Sequence, residues 1–416
     1  DLLRAILMTR AAKEKYHGTS ATSEVREFRI RMGMELDLMN LWFGKTADYF
    51  RQFISDQTIG MARINRFDFT TLPINLLYLL YYEYRRNEKE SLNFSFFEYG
   101  KNSNGNPDDD RWEMYLELQE MYAILQRWYN DKELYHYLGF LFFNFKAQTP
   151  FRDIYTQWKA LNSRDKFLKD IQHTIATRML DRYLEETEKA APDYQKCLKT
   201  MTEAISDFRE NWYNNDKELY QILILLDIFR ILDSKSIKKL PTDYFTRKSG
   251  QKDGEDKEHI LSQTPRKDNG EIATIKTDWE RFAQSEDFKD IRSQMQEILN
   301  HSDAELTEQE LTQLQNLLNS AGLNSIGNMV LLDLRINRSY GNADYTHKRT
   351  IIFQEYMNQK YVRPHTLAVF MKGDIDAREA TGIPLNRWTL EDIKRNTDKI
   401  AKEIGKNFNA WLTQNN

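Results

Sequence analysis

The sequence is poor in the residues that interrupt helices. It has 16 glycines and 8 prolines among 416 residues. Both counts are low, because typical usage is about 7 % for glycine and about 5 % for proline. Aromatic residues, at 13 %, are plentiful enough to build sizeable cores and to exclude disorder on a large scale. This composition predicts a mainly α fold, and the length predicts more than one domain.

Cysteine is almost absent, because Cys197 is the only one. A single thiol excludes a disulfide framework and every metal site built from several cysteines, and it fits a reducing cytoplasm. There is no run of 18 uncharged apolar residues, so we predict no membrane-spanning helix. The net charge of −4 decides nothing about nucleic acid, since a local basic surface is compatible with a balanced total.

Composition changes after Ser234. The chain before it reads as helix after helix, including one long helix at 150–190, whereas 235–272 is charged and lacks helical periodicity. We therefore predict a helical linker or scaffold domain at 1–235 and a second, functional domain at 236–416.

One sequence element occurs twice, as W-Y-N-D-K-E-L-Y at 128–135 and as W-Y-N-N-D-K-E-L-Y at 212–220. Each copy reads as a helix end, an Asn or Asp cap and a new apolar helix, with Asp131 and Asp216 as the predicted caps. We interpret the element as a shared capping solution; a pseudo-repeat is the alternative.

Asp256, Glu258 and His259 stand together in one short segment. In an extended strand the two carboxylates share a face and the histidine points to the other. Carboxylates beside a histidine suit a hard divalent cation and a general base. A solvated run of charges without chemistry is the alternative.

A second polar group follows a short apolar run further along the chain. Asn328 opens this run, which we read as a buried strand, and Asn337 follows nine residues later. Residues 335–372 carry seven Lys and Arg against two acids. Such a basic excess suits the phosphates of a polyanion.

These segments resemble the HNH-type, ββα-metal nuclease domain of the GmrSD family of restriction and anti-phage proteins, whose relatives include SspE-like effectors. The resemblance rests on D-x-E-H-I, I-G-N-x-x-L-L and N-R-S-x-G-N, and it covers about 240–416. The first motif also resembles the HNH strand of the RNA-guided CRISPR nucleases, but those enzymes have a proline where this chain has Ser262. The resemblance implies finger strands near 256–262 and 326–332, with the helices at 276–320 inserted between them.

The resemblance also implies the chemistry of the site. His259 is the expected general base, taking a proton from the attacking water. Glu258 and Asn337 are the expected ligands of a divalent metal, most readily Mg²⁺ and alternatively Mn²⁺, and Asp256 supports them. An ordinary turn asparagine is the alternative for Asn337, with Asn342 as a rival ligand.

The other carried-over residues serve structure and substrate. Asn328 is expected to tie the loop after the first strand through amide hydrogen bonds. Lys348, Arg349 and Arg338 are expected to contact DNA phosphate, and a solvated helix face is the alternative for Lys348 and Arg349. A helix over 343–359 is expected to pack across the two strands.

We therefore expect a metal-dependent DNA endonuclease or nickase that hydrolyses foreign DNA in the bacterial cytoplasm. The alternatives are a helical interaction or regulatory module with a decayed, non-catalytic finger, and a DNA binder without chemistry. The resemblance implies a nucleotide-hydrolysing half, but this sequence has no G-x-x-x-x-G-K-[ST] loop. That half is therefore expected upstream of this chain or on a companion subunit, and its absence is the alternative. Because one finger cuts one strand, cleavage of both DNA strands would require a homo-oligomer or two separate visits.

Overall fold

The structure is a computed structural model. It describes residues 2–16, 23–65, 67–86, 91–93, 96–97, 111–235, 238–247, 254–262, 264–265, 271–336, 345–372 and 387–414. The fold is mainly α, as the composition predicts, and these residues contain one sheet of two strands. In the same ranges, every helix is too short or too polar to cross a membrane. The chain divides into two compact units, Asp1–Ile171 and Gln172–Asn416.

The first unit is built from helices packed around aromatic side chains. They are α1 (Leu2–Lys15), α2 (Ser23–Phe50), α3 (Asp56–Ile64), α4 (Asn75–Arg85), α5 (Arg111–Asn130), α6 (Lys132–Phe145), α7 (Phe151–Leu161) and the start of α8 (Arg164–Leu180). Asp131 caps α6, as predicted, by accepting bonds from two backbone N–H groups. The single helix predicted at 150–190 is wrong, because Asn162 adopts a left-handed conformation (φ 45°) that ends α7.

The second unit contains the rest of α8 and eight further helices among its described residues. They are α9 (Tyr194–Ser206), α10 (Asp216–Asp233), α11 (Lys276–Ala283), α12 (Arg292–Asn300), α13 (Glu308–Ser320), α14 (Tyr345–Met357), α15 (Pro364–Met371) and α16 (Leu390–Thr413). The prediction that Asp216 caps α10 is wrong by one residue. Asp216 is the first helical residue, and the cap position belongs to Asn215, which makes no side-chain capping bond.

The sheet pairs β1 (Glu255–His259) with β2 (Met329–Asp333) in antiparallel register, with His259 opposite Met329. The second strand starts three residues later than predicted, because Ile326–Asn328 forms a 3₁₀ turn. A side chain at Gly327 would collide with the Ile393 carbonyl and with Thr397 of α16. This close approach of turn and helix explains why glycine stands there.

Helices α11, α12 and α13 lie in sequence between the two strands, where the insertion is predicted. They share one hydrophobic core with β2 and α14, to which Trp279, Leu314, Val330 and Ile352 belong. The segment before α11 pairs with the segment after α12, since the Leu306 N–H donates to the Thr274 carbonyl at 2.7 Å. This bond brings the two ends of the α11–α12 pair together. The predicted functional division into 1–235 and 236–416 stays a prediction.

Candidate active site

Strand β1 carries three of the predicted site residues, and β2 pairs with it in the sheet. Four of the five residues of β2 are apolar and buried, whereas only the first residue of β1 is buried. The polar side chains of β1 therefore lie on an apolar partner strand that holds their backbone in register. This pairing fixes where Glu258 and His259 project.

Glu258 is paired with a lysine of α14. The Lys348 ammonium donates to Glu258 Oε1 at 2.9 Å and to the His259 carbonyl oxygen at 2.6 Å. The Lys348 side chain is 1 % exposed and that of Glu258 is 18 % exposed. The strand and helix are thereby joined by a charge-assisted contact that water reaches only at the carboxylate.

This geometry differs from the surface position that a phosphate contact needs. The Lys348 side chain is buried because its ammonium has two oxygen partners on β1. The predicted role of Lys348 toward DNA would require the ammonium to leave Glu258, and that role stays a prediction.

His259 lies between a ring and an amide. Tyr213 stacks on the imidazole with 4.8 Å between ring centroids and 19° between planes. The imidazole Nε2 lies 2.9 Å from Oδ1 of Asn324. Neither residue belongs to the strand, so the orientation of His259 is set by the rest of the unit.

Asn328 is completely buried at the junction of the 3₁₀ turn and β2. Its amide donates to the carbonyls of Leu261 and Leu323, at 3.0 and 2.8 Å, and accepts from the Leu261 N–H at 2.8 Å. The two bonds to Leu261 hold the loop that follows His259, which is the structural role the resemblance implies, and the bond to Leu323 holds the segment before the 3₁₀ turn. Asn328 therefore acts through the backbone around His259.

Asp256 has different partners from Glu258. Its carboxylate lies 3.2 Å from the Arg247 guanidinium and 3.4 Å from the Tyr220 hydroxyl. The two carboxylates thus each hold their own cation. The prediction that Asp256 supports a metal at Glu258 requires it to act beside Arg247.

Of the predicted site residues that remain, Arg349 lies within the described residues and the others lie outside them. Arg349 is half-buried, donates from Nε to the Phe370 carbonyl at 2.9 Å and lies over the Phe353 ring. Asn337, the rival ligand Asn342 and Arg338 lie outside the described residues.

A buried ion cluster next to the site escapes sequence reasoning. Arg363 donates to both carboxylate oxygens of Glu255, at 2.8 and 2.7 Å, and to Asp227 Oδ2 at 2.7 Å. Burial raises the pKa of Asp227 to about 6, although Arg363 pulls it the other way. The cluster ties the start of β1 to α10 and α15. The sequence signal for this cluster is Asp227, an aspartate within the apolar run that forms α10.

Carboxylate oxygen is the ligand type that Mg²⁺ prefers, and Glu258 already attracts a cation, the Lys348 ammonium. Glu258 therefore fits a metal-ligand role chemically. Among the described residues no three His, Cys, Asp or Glu side chains form a metal cluster. The proposed second ligand, Asn337, is of another residue type and lies outside those residues.

Comparison with known proteins gives a family match. Residues 202–403 match the family model of the GmrSD restriction endonucleases, C-terminal domain. The match contains both strands, the inserted helices, α10 and most of α16. No curated protein and no solved structure matches the chain.

Proposed function

Because residues 202–403 belong to the GmrSD restriction endonucleases as their C-terminal domain, we propose that this chain is an HNH-type, metal-dependent DNA endonuclease. The activity is nicking of foreign DNA in bacterial anti-phage defence, in the cytoplasm. The observation that carries the proposal is the placement of Glu258 and His259 side by side on a strand that pairs with β2 and contacts α14. A strand pair joined to a helix, here through Lys348, is consistent with a ββα-metal finger.

In the proposed reaction His259 accepts the proton of the attacking water. Glu258 and Asn337 would hold Mg²⁺ or Mn²⁺, with Asp256 nearby, and the bound metal would stabilise the negative charge that develops on the phosphate. Asn328 keeps the loop after His259 in place through two hydrogen bonds with the Leu261 backbone. Arg349, Arg338 and a released Lys348 would offer positive charge to the DNA backbone.

The test is plasmid nicking. Supercoiled plasmid is incubated with the protein and Mg²⁺ or Mn²⁺, and nicked circles are measured over time. His259→Ala should lose about 10²–10⁴-fold in rate, because that is the usual contribution of a general base. His301→Ala is the matched control, since His301 is exposed and its ring bonds locally to the Glu297 carbonyl. Equal nicking by the parent and His259→Ala would refute the assignment.

One observation favours a second candidate function. Lys348 already supplies a buried cation to Glu258, as expected of a helical interaction module whose finger no longer binds metal. In that case cleavage is absent with every divalent ion, and EDTA changes nothing. A metal-dependent enzyme instead stops in EDTA and recovers with excess Mg²⁺. The proposed partner of such a module is a nucleotide-hydrolysing half of the same protein or a companion subunit.

A further inference from the structure

Two residues outside β1 define the surroundings of His259. Tyr213 comes from the second copy of the Trp-Tyr-Asn element, in the turn before α10. Asn324 comes from the segment between α13 and β2. Sequence reasoning gives a role to neither. Both contacts are to the imidazole itself, so they bear on how that ring is held.

The turn that carries Tyr213 is bonded both to Asn324 and to β1. The backbone N–H of Trp212, the preceding residue, donates to the Asn324 carbonyl at 2.9 Å. The Lys257 ammonium bonds to the Tyr213 carbonyl oxygen and lies 4.1 Å from the centre of the Tyr213 ring. Because the turn is tied to β1 and to Asn324, the stack on His259 restricts the plane of the imidazole.

The Asn324 amide has a defined direction. Its Nδ2 donates to Asn319 Oδ1 at 2.6 Å, so its Oδ1 faces Nε2 of His259. An amide oxygen accepts hydrogen bonds and donates none, so Nε2 of the histidine must carry the proton. A neutral imidazole has one N–H, and the lone pair is then on Nδ1.

We propose that Tyr213 and Asn324 are positioning residues for His259. Tyr213 fixes the plane of the ring and Asn324 fixes the Nε2–H tautomer, so that Nδ1 is the nitrogen that accepts a proton. This inference rests on the proposed nuclease function for its consequence in catalysis. The tautomer itself is a property of the folded chain and is measurable without any activity.

The first experiment records the tautomer. The full chain is labelled with ¹⁵N-histidine and long-range ¹H–¹⁵N spectra are recorded at about pH 8, above the ordinary histidine pKa of about 6.5. His259→Gln assigns the signal. We expect the Nε2–H form in the parent and in Asn324→Asp, which keeps an acceptor oxygen, and a mixture in Asn324→Leu, which has none. A parent in the Nδ1–H form, with the Asn324 amide turned over, would overturn the inference.

The second experiment asks whether the position matters for cleavage. With Mg²⁺ and supercoiled plasmid, Asn324→Leu should lower kcat about 10–100-fold, within the range a misplaced general base can cost, with KM changed less than about twofold. Asn324→Asp should recover most of that loss, which a purely structural role would not predict. Unchanged kcat in a folded Asn324→Leu variant would contradict the proposal.

Tyr213 supplies an independent pair of variants. Tyr213→Phe keeps the aromatic face and should match the parent, whereas Tyr213→Leu should lower kcat and broaden the His259 signal. If Asn324→Leu does not fold, the spectrum of the parent and this pair decide. If the parent does not nick DNA at all, the proposed function fails, while the tautomer spectra still confirm or overturn the positioning of His259.

Discussion

Trp128 and Trp212 each open one copy of the repeated Trp-Tyr-Asn element, and both indoles are buried within their own unit. The copies resemble each other further in that a long apolar helix follows each, α6 in one and α10 in the other. They differ at the start of that helix. Asp131 caps α6 with its carboxylate, whereas Asn215 makes no side-chain cap for α10.

The first copy contributes to a hydrophobic core. Trp128 stacks on Phe167 with 5.5 Å between centroids, and Tyr135 stacks on Tyr49 with 4.7 Å. Its acidic residue, Asp131, is bound by Arg164 through two bonds of 2.9 Å. All of these contacts serve the packing of the first unit.

The second copy contacts the strand that carries the candidate site. Its residues meet three of the five residues of β1, through the pairs Tyr213–His259, Asp216–Lys257 and Tyr220–Asp256. The same local sequence therefore has a packing role in one unit and a supporting role for β1 in the other. Capping, the interpretation from sequence, describes the first copy only, because tertiary partners decide what the side chains do.

The largest expected effect separates the two indoles. Trp128→Ala should lower the free energy of unfolding by about 3–5 kcal/mol, since it empties a core site. Trp212→Ala should cost a similar amount and should also slow nicking, because the emptied site loosens the turn whose backbone N–H bonds to the Asn324 carbonyl. Urea unfolding followed by circular dichroism measures the first effect and plasmid nicking the second. Normal nicking by folded Trp212→Ala would break the comparison.

The tyrosines give the next effect. Tyr213→Leu should slow nicking about tenfold, equivalent to about 1.4 kcal/mol in activation free energy, because the imidazole loses its stacking partner. Tyr129→Leu is the matched control from the first copy. Tyr129 packs against aromatic rings of the first unit, so its replacement should leave the nicking rate within about twofold of the parent. Equal losses in both variants would show that the two copies do not differ in function.

Replacing the acidic residue of each copy should lower the free energy of unfolding by different and smaller amounts. Asp131→Ala removes a helix cap and should cost about 1 kcal/mol. Asp216→Ala removes only a pair with Lys257, and Asp216 is 58 % exposed, so about 0.5 kcal/mol or less is expected. Thermal unfolding of both variants measures the difference. A larger cost at Asp216 would contradict the assignment of capping to the first copy.

The positions of Glu258, His259 and Asn328 on or beside the strand pair follow from short motifs in the sequence, whereas their catalytic roles stay predictions. The helical content and the positions of the two strands also follow from local patterns. The contacts between Tyr213 or Asn324 and His259 were not accessible, since Asn324 is 65 residues away and no periodicity links the two.

Burial of charged residues was equally invisible. Lys348 stands in a basic stretch that reads as solvated, yet its side chain is 1 % exposed because Glu258 and a carbonyl oxygen receive its ammonium. Arg363 belongs to the same stretch and is enclosed by Glu255 and Asp227. A net basic count measures composition, and only the fold decides which cations face water.

The smallest expected effect is the pH dependence of the first copy's cap. Burial of the Asp131 carboxylate raises its pKa, but Arg164 and the capped N–H groups outweigh burial, so the pKa lies below its ordinary value. A carboxylate with a depressed folded-state pKa stabilises the fold above its unfolded pKa of about 3.9, and that contribution is lost as the pH falls toward the folded value. The stability difference between the parent and Asp131→Asn, which keeps a capping oxygen, should therefore be constant near neutral pH and shrink below about pH 4. Urea unfolding across this range measures the difference, and an Arg164→Met background, which lacks the charge partner, should flatten it. A difference that grows in acid would show that the Asp131 carboxylate is not held ionised in the folded chain.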